Sequence, residues 1–78
     1  MKILVRNLAR TTKEKELYVL FTAFGSVTEC TLVLDKETGA SKGFGFIEMP
    51  KADEAQAAIK ALNMSEFGKS RIRVKTAD

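Results

Sequence analysis

The stretch that decides the fold is Lys42-Gly43-Phe44-Gly45-Phe46-Ile47-Glu48-Met49. It reads as a β-strand in which two glycines stand beside two phenylalanines. Side chains on a strand alternate between faces. Lys42, Phe44, Phe46 and Glu48 therefore share one face, and Gly43, Gly45, Ile47 and Met49 share the other. Ile47 and Met49 mark the second face as core. The first face then turns two aromatic rings to water, with a lysine at one end. Gly45 has no side chain to bury, which suits a helix backbone packed close behind the strand. Pro50 halts the strand, because proline cannot donate to a sheet ladder. Exposed rings on an open sheet face are expected to serve a ligand.

Upstream of this strand, Ile3 to Leu8 is β-prone, with Ile3 and Val5 toward the core and Leu4 and Arg6 on the opposite face. Ala9 to Thr12 reads as a loop. Thr11 followed by Glu14 fits a capping box, with Thr12 as an alternative cap. Leu17, Leu20, Phe21 and Phe24 then recur at helical spacing, and Gly25 stops that helix. Val27 to Leu34 predicts a second strand. Cys30, Leu32 and Leu34 fall on its core face, and Glu29, Thr31 and Val33 on the other. The polar run Asp35 to Ser41 is a loop too long for a two-residue turn.

Downstream, residues 52–62 predict a second helix with a stripe of Ala55, Ala58, Ile59 and Leu62. Asp53 and Glu54 stand in its first turn, where the helix dipole favours negative charge. Asn63 to Ser70 is a polar connection anchored by Phe67. Arg71 to Lys75 predicts a last strand, with Ile72 and Val74 inward and Arg71, Arg73 and Lys75 outward. The order is strand, helix, strand, strand, helix, strand. This βαββαβ pattern predicts an α+β ferredoxin-like fold. Right-handed crossovers place both helices on one face of a four-stranded antiparallel sheet and leave the other face open.

Seventy-eight residues make one domain spanning 1–78, with 45% hydrophobic and 29% charged residues, as expected for a globular chain. The single cysteine, Cys30, has no partner for an internal disulfide, and with no histidine a metal site would be all oxygen. No metal or cofactor is expected. No apolar run approaches the roughly 20 residues of a membrane helix, so no membrane partner is expected either. A chain without disulfides fits a reducing interior, and a cytoplasmic location is the expectation. A strand that starts almost at Met1 suggests a compact standalone protein, expected to be a monomer. The net charge of +3 is small, but it is concentrated. The open face collects Arg6, Lys42, Arg71, Arg73 and Lys75 around Phe44 and Phe46, where flat rings stack bases and cations neutralise phosphates.

Lys42 to Met49 resembles the octamer motif of the RNA recognition motif family, and Ile3 to Leu8 resembles its hexamer motif. Gly25-Ser26-Val27, the run from Asp35 through Thr38-Gly39 to Ser41-Lys42-Gly43, and Ala58-Ile59 with Leu62-Asn63 are similar to its usual phrasing. The resemblance covers nearly the whole chain. It implies that Phe46 stacks on a base, that Phe44 lies against sugars or between nucleotides, and that Lys42 contacts a phosphate. It also implies single-stranded RNA as partner, because only unpaired bases lie flat on a sheet. The sequence departs from the pattern at Leu4 and Met49, which replace aromatic residues. Gly68-Lys69-Ser70 stands one residue out of step with the usual glycine-basic turn, and Met64 occupies a place where the family often has glycine.

Other readings stand beside this one. Arg71, Arg73 and Lys75 also fit solvated edge residues that discourage strand pairing. Glu48 either pairs with a neighbouring cation or accepts from the amino group of a nucleobase. Single-stranded DNA is an alternative ligand, since stacking does not read the 2′-hydroxyl. Leu4 in place of a ring leaves room for a protein-interaction module on the same fold. An enzyme is not expected, because no histidine and no nucleophile–base pair can be assembled.

Overall fold

Alternating burial along the first and third strands sets the two sides of the molecule. The computed structural model describes residues 1–77. The elements are β1 (Lys2–Arg6), α1 (Glu14–Thr22), β2 (Glu29–Leu34), β3 (Ser41–Glu48), α2 (Ala52–Leu62), β4 (Glu66–Phe67), β5 (Ser70–Arg71) and β6 (Arg73–Thr76). The main sheet is antiparallel in the order β2-β3-β1-β6, with β1 and β3 central, and β4 and β5 form a separate small hairpin. Ile3, Val5, Ile47 and Val74 of the sheet share one buried cluster with Leu17 and Phe21 of α1 and Ala55, Ala58 and Leu62 of α2. Both helices therefore cover one face, as the ferredoxin-like pattern requires, and the helical stripes read from spacing are the ones buried.

The details differ from the sequence reading where distant residues intervene. Helix α1 begins after Lys13, and the Glu16 carboxylate accepts the Lys13 N–H at 2.8 Å. Neither Thr11 nor Thr12 is the cap, because Thr12 folds back in a turn, donating its N–H to the Ala9 carbonyl. The helix ends at Thr22 with Ala23 as cap, so Gly25 lies two residues beyond the cap.

Leu34 was expected on the core face but is 50% exposed. The ladder also shifts here: Leu32 faces Gly45 and Leu34 faces Ser41, so one residue of β2 spans three of β3. Leu34 keeps the face of Leu32, and both line a surface hollow beside Thr12 and Glu14, so the face is as expected and only the burial is not. The extra residues are taken up around Gly43, whose φ of +85° is open to glycine and strained for other residues. The Ser41 hydroxyl accepts the Gly43 N–H at 3.0 Å, and the Gly43 carbonyl accepts from Leu8 at 2.8 Å. Ser41, read as loop, thus becomes the buried first residue of β3.

The last strand is also shorter than expected. The Ile72 N–H donates to Ser65 and the Ile72 carbonyl accepts from Met64, which ties this residue to the α2 exit and splits β5 from β6. The hairpin turn is Gly68-Lys69, both with positive φ, as a two-residue turn between twisted strands demands. This accounts for the glycine-basic pair standing out of step. Met64 has φ +68°, a glycine-like conformation carried by methionine.

Both edges of the sheet are guarded by side chains. On β2, Glu14 accepts the Leu32 N–H at 3.0 Å. On β6, the Asn63 side-chain carbonyl accepts the Val74 N–H at 3.0 Å. Unpaired edge amides are templates for strand addition, and these two are occupied. Glu14→Ala is expected to lower stability by about 1 kcal/mol in urea denaturation. Glu14→Gln keeps an acceptor and should avoid most of that loss. Equal effects of the two variants would show that the hydrogen bond is not the cause.

Candidate nucleic-acid interface

The open face is built by residue alternation on the central strands. Phe46 faces Leu4 on β1 and Thr31 on β2, and Leu4 in turn faces Lys75 on β6. This row runs across the sheet as Thr31, Phe46, Leu4, Lys75. Toward one end, Arg6 faces Arg73. Toward the other, Glu48 lies between Glu29 and Lys2. Lys42, Arg6, Arg73 and Lys75 are exposed, while Leu4, Phe44, Phe46 and Glu48 are half-buried.

Phe44 and Phe46 meet edge to face, with ring centroids 6.2 Å apart and planes at 87°. This geometry is an attractive pairing of ring edge with ring face. It holds the two rings in different planes, so they present different surfaces to a ligand. Their backs are set by Gly43 and Gly45, which are buried on the helical side. Gly45 was expected to make room for a helix backbone. A Cβ there would instead meet the Thr31 carbonyl of β2 at 2.5 Å and the Leu17 side chain at 3.2 Å. The neighbouring strand, more than the helix, requires the glycine.

Sequence reasoning missed Lys2. Its ammonium stands 4.8 Å from the centroid of the Phe46 ring, a cation–π contact. Lys2 has the same parity as Leu4 and Arg6. Starting the strand one residue earlier would have placed it on this face.

Two hollows flank the rings. A groove of about 540 Å³ at the β1–β6 side is lined by Arg6, Asn7, Asn63, Arg73, Val74 and Lys75. A smaller one of about 240 Å³ beside Phe46 is lined by Lys2, Glu29, Thr31, Ile47 and Glu48. The face is thus electrically divided: cations gather around the first hollow, and two carboxylates stand at the second. Arg71 does not join its expected neighbours. It lies in the β4–β5 hairpin opposite Glu66, and its carbonyl accepts from the Asn7 side chain at 2.7 Å.

The loop between β2 and β3 is ordered by its own polar groups. The Asp35 carboxylate accepts the N–H groups of Glu37 at 2.8 Å and Thr38 at 3.1 Å. These bonds, Glu37 first, hold the Asp35 carboxyl below its usual range. They favour the charged form, so this lock is present at neutral pH and is lost as pH falls through the lowered value. Arg10 donates to the Ser41 carbonyl at 3.0 Å and ties the β1 exit to the start of β3. Cys30 lies at the back of β2, half-buried, with its thiol pushed up to about 11 by burial and then by Glu14. A protonated thiol at neutral pH is a poor nucleophile. Tyr18 is 42% exposed on α1, away from the rings.

Known proteins share this arrangement. A family model described as the RNA recognition motif matches residues 3–73. Glycine-rich RNA-binding protein 4, mitochondrial, of Arabidopsis thaliana is 42% identical over 76 residues, which are 97% of this chain and 56% of that protein. The chain thus spans about half the length of that relative. A crystal structure of RNA binding protein PG1 superposes with a TM-score of 0.96 at 40% identity, covering 99% of this chain and 93% of that one. A Sxl-lethal protein/RNA complex superposes at 0.93 with 32% identity, covering 99% and 46%. The octamer strand with its two rings, the β2-β3-β1-β6 sheet and a family match across nearly all of its length agree, and the chain belongs to the RNA recognition motif family.

Proposed function

We propose that this protein binds RNA, and that it does so on the open face, in single-stranded form, by stacking on Phe46 and Phe44. The observation that carries the reading is the pair of half-buried rings on the central strand, held edge to face with cations on the adjoining strands. Phe46 lies mid-sheet and takes one base. Phe44 lies nearer Arg6 and suits a sugar or the next base. Arg6, Lys42, Arg73 and Lys75 neutralise the phosphates, and Leu4 supports a base by apolar contact. Arg71, outside the main sheet, has no part in this set. The names of the relatives and the RNA complex among the structural neighbours support the same ligand. The occupied edges of β2 and β6 support a monomer.

One small module with two rings and few cations should bind in the micromolar range at physiological salt. Affinity should fall with salt at a log–log slope of about −0.7 for each phosphate contacted. Phe46→Ala is expected to weaken binding by about 1–3 kcal/mol while the fold is retained. Titration of short unstructured RNA followed by fluorescence anisotropy, with an amide NMR spectrum of the variant, checks both. Undiminished affinity in the folded variant would exclude stacking on Phe46. A titration that moved no signals of β1 and β3 would favour a protein-binding surface instead. Parallel titration of the DNA version of the same oligonucleotide measures how far the sugar is read.

A further inference from the structure

The carboxylate end of the open face is unlike the rest of it. Glu48 and Glu29 are direct cross-strand neighbours. Like charges so placed repel one another, and together they repel phosphate. One oxygen of Glu48, Oε2, is sealed from solvent yet accepts no hydrogen bond. A carboxylate oxygen in that condition is short of a donor. No hydrogen bond among the described residues holds the Glu48 carboxylate in its present orientation, so a ligand can draw it out by rotation of the side chain alone.

The position of this group narrows the donor. Glu48 follows Phe46 by two residues on the same face, and both line the hollow of about 240 Å³ with Lys2. A base stacked on Phe46 therefore turns an edge toward Glu48. The Watson–Crick edges differ in what they offer. Uracil presents one N–H between two carbonyls, and cytosine and adenine each present one amino group beside acceptors. Guanine alone presents two adjacent donors, N1–H and the 2-amino group, which match the two oxygens of a carboxylate. The Lys2 ammonium, which stands over the ring, gives way to the stacked base, and its attachment on β1 opposite Glu48 keeps it in the hollow, where it suits the O6 acceptor.

Resting on the RNA-binding reading above, we propose that Glu48 is a specificity-determining residue that selects guanine for the base stacked on Phe46. The ribose-phosphate chain then runs toward Arg6, Arg73 and Lys75, and the base edge points to the acidic end. The guanine contact is a pair of N–H to carboxylate hydrogen bonds with no bond made or broken.

The test uses short single-stranded RNA of uniform uridine, and the same oligonucleotide with one central uridine replaced by guanosine, inosine, adenosine or cytidine. The guanosine form is expected to bind the parent roughly tenfold more tightly than the all-uridine form. Inosine lacks the 2-amino group and should lose most of that preference. In Glu48→Gln, shown folded by its amide spectrum, the guanosine-over-uridine ratio should fall toward one, because the amide offers only one acceptor. Equal binding of all forms by the parent, or an unchanged ratio in Glu48→Gln, overturns the assignment while leaving RNA binding standing. Binding of none of them removes both.

Discussion

Phe21→Ala is expected to remove about 3–5 kcal/mol of stability, the cost of emptying a large buried aromatic site. A domain of 78 residues has roughly 4–12 kcal/mol in total at the usual stability per residue. The variant should therefore sit at the margin of folding at 25 °C. Phe21 is fully buried on α1 and is the largest of the fully buried side chains. It shares one buried cluster with Leu17, Ile3 and Ile47, and a small core has few other side chains to move into the vacancy. Denaturant unfolding should show a large fall in midpoint with little change in slope. Phe21→Leu, which keeps most of the volume, should lose much less. A loss below about 1 kcal/mol for the alanine variant would mean that the cavity collapses and that the packing described is wrong.

Gly45→Val is the second large effect, expected to cost about 3 kcal/mol, at the upper end of the range for overpacking. The first added carbon would lie 2.5 Å from the Thr31 carbonyl and 3.3 Å from the Leu32 Cα, both backbone atoms of β2. A flexible side chain can step aside from such an intrusion, but a strand in a ladder cannot. The clash also falls beside the place where the β2–β3 register shifts, between Leu32 and Leu34. Relief therefore requires β2 to separate from β3 where the ladder is already interrupted. Because Gly45 lies between Phe44 and Phe46, RNA affinity should fall along with stability, although no ring has been removed. Gly45→Ala takes a smaller step in the same direction. Thermal unfolding together with an amide spectrum decides the matter. A valine variant as stable as the parent would show that β2 and β3 have freedom that their backbone spacing does not indicate.

These two sites explain why the interface and the core cannot be varied separately. One strand supplies both, with Phe44 and Phe46 on one face and Gly45 and Ile47 on the other. Changes that disturb the helical side displace the rings. The face itself is not a uniform cationic surface. Arg6, Arg73 and Lys75 make one end, Glu29 and Glu48 the other, and Lys2 stands over the Phe46 ring between them. A strand of RNA laid across this face meets attraction for its phosphates at one end and hydrogen-bond acceptors at the other.

Much of this was determined by the sequence alone. Alternation along Lys42 to Met49 placed the rings outward and Ile47 and Met49 inward. The spacing of Leu17 and Phe21, and of Ala55, Ala58 and Leu62, placed the helical faces that are buried. Element order was sufficient for the sheet topology. These features depend on the pitch of a helix and the pleat of a strand, which are properties of neighbouring residues. Tertiary structure alone decided the rest. The shifted register between Leu32 and Leu34 needs β2 and β3 side by side. The split between β5 and β6 comes from Ile72 bonding to Met64 and Ser65, and it takes Arg71 out of the sheet. The guarding of Leu32 by Glu14 and of Val74 by Asn63 joins residues from different elements. So do the approach of Thr31 to Gly45 and the seating of Lys2 on Phe46. In each case the partner is chosen by closure of the fold, and no local periodicity carries that information.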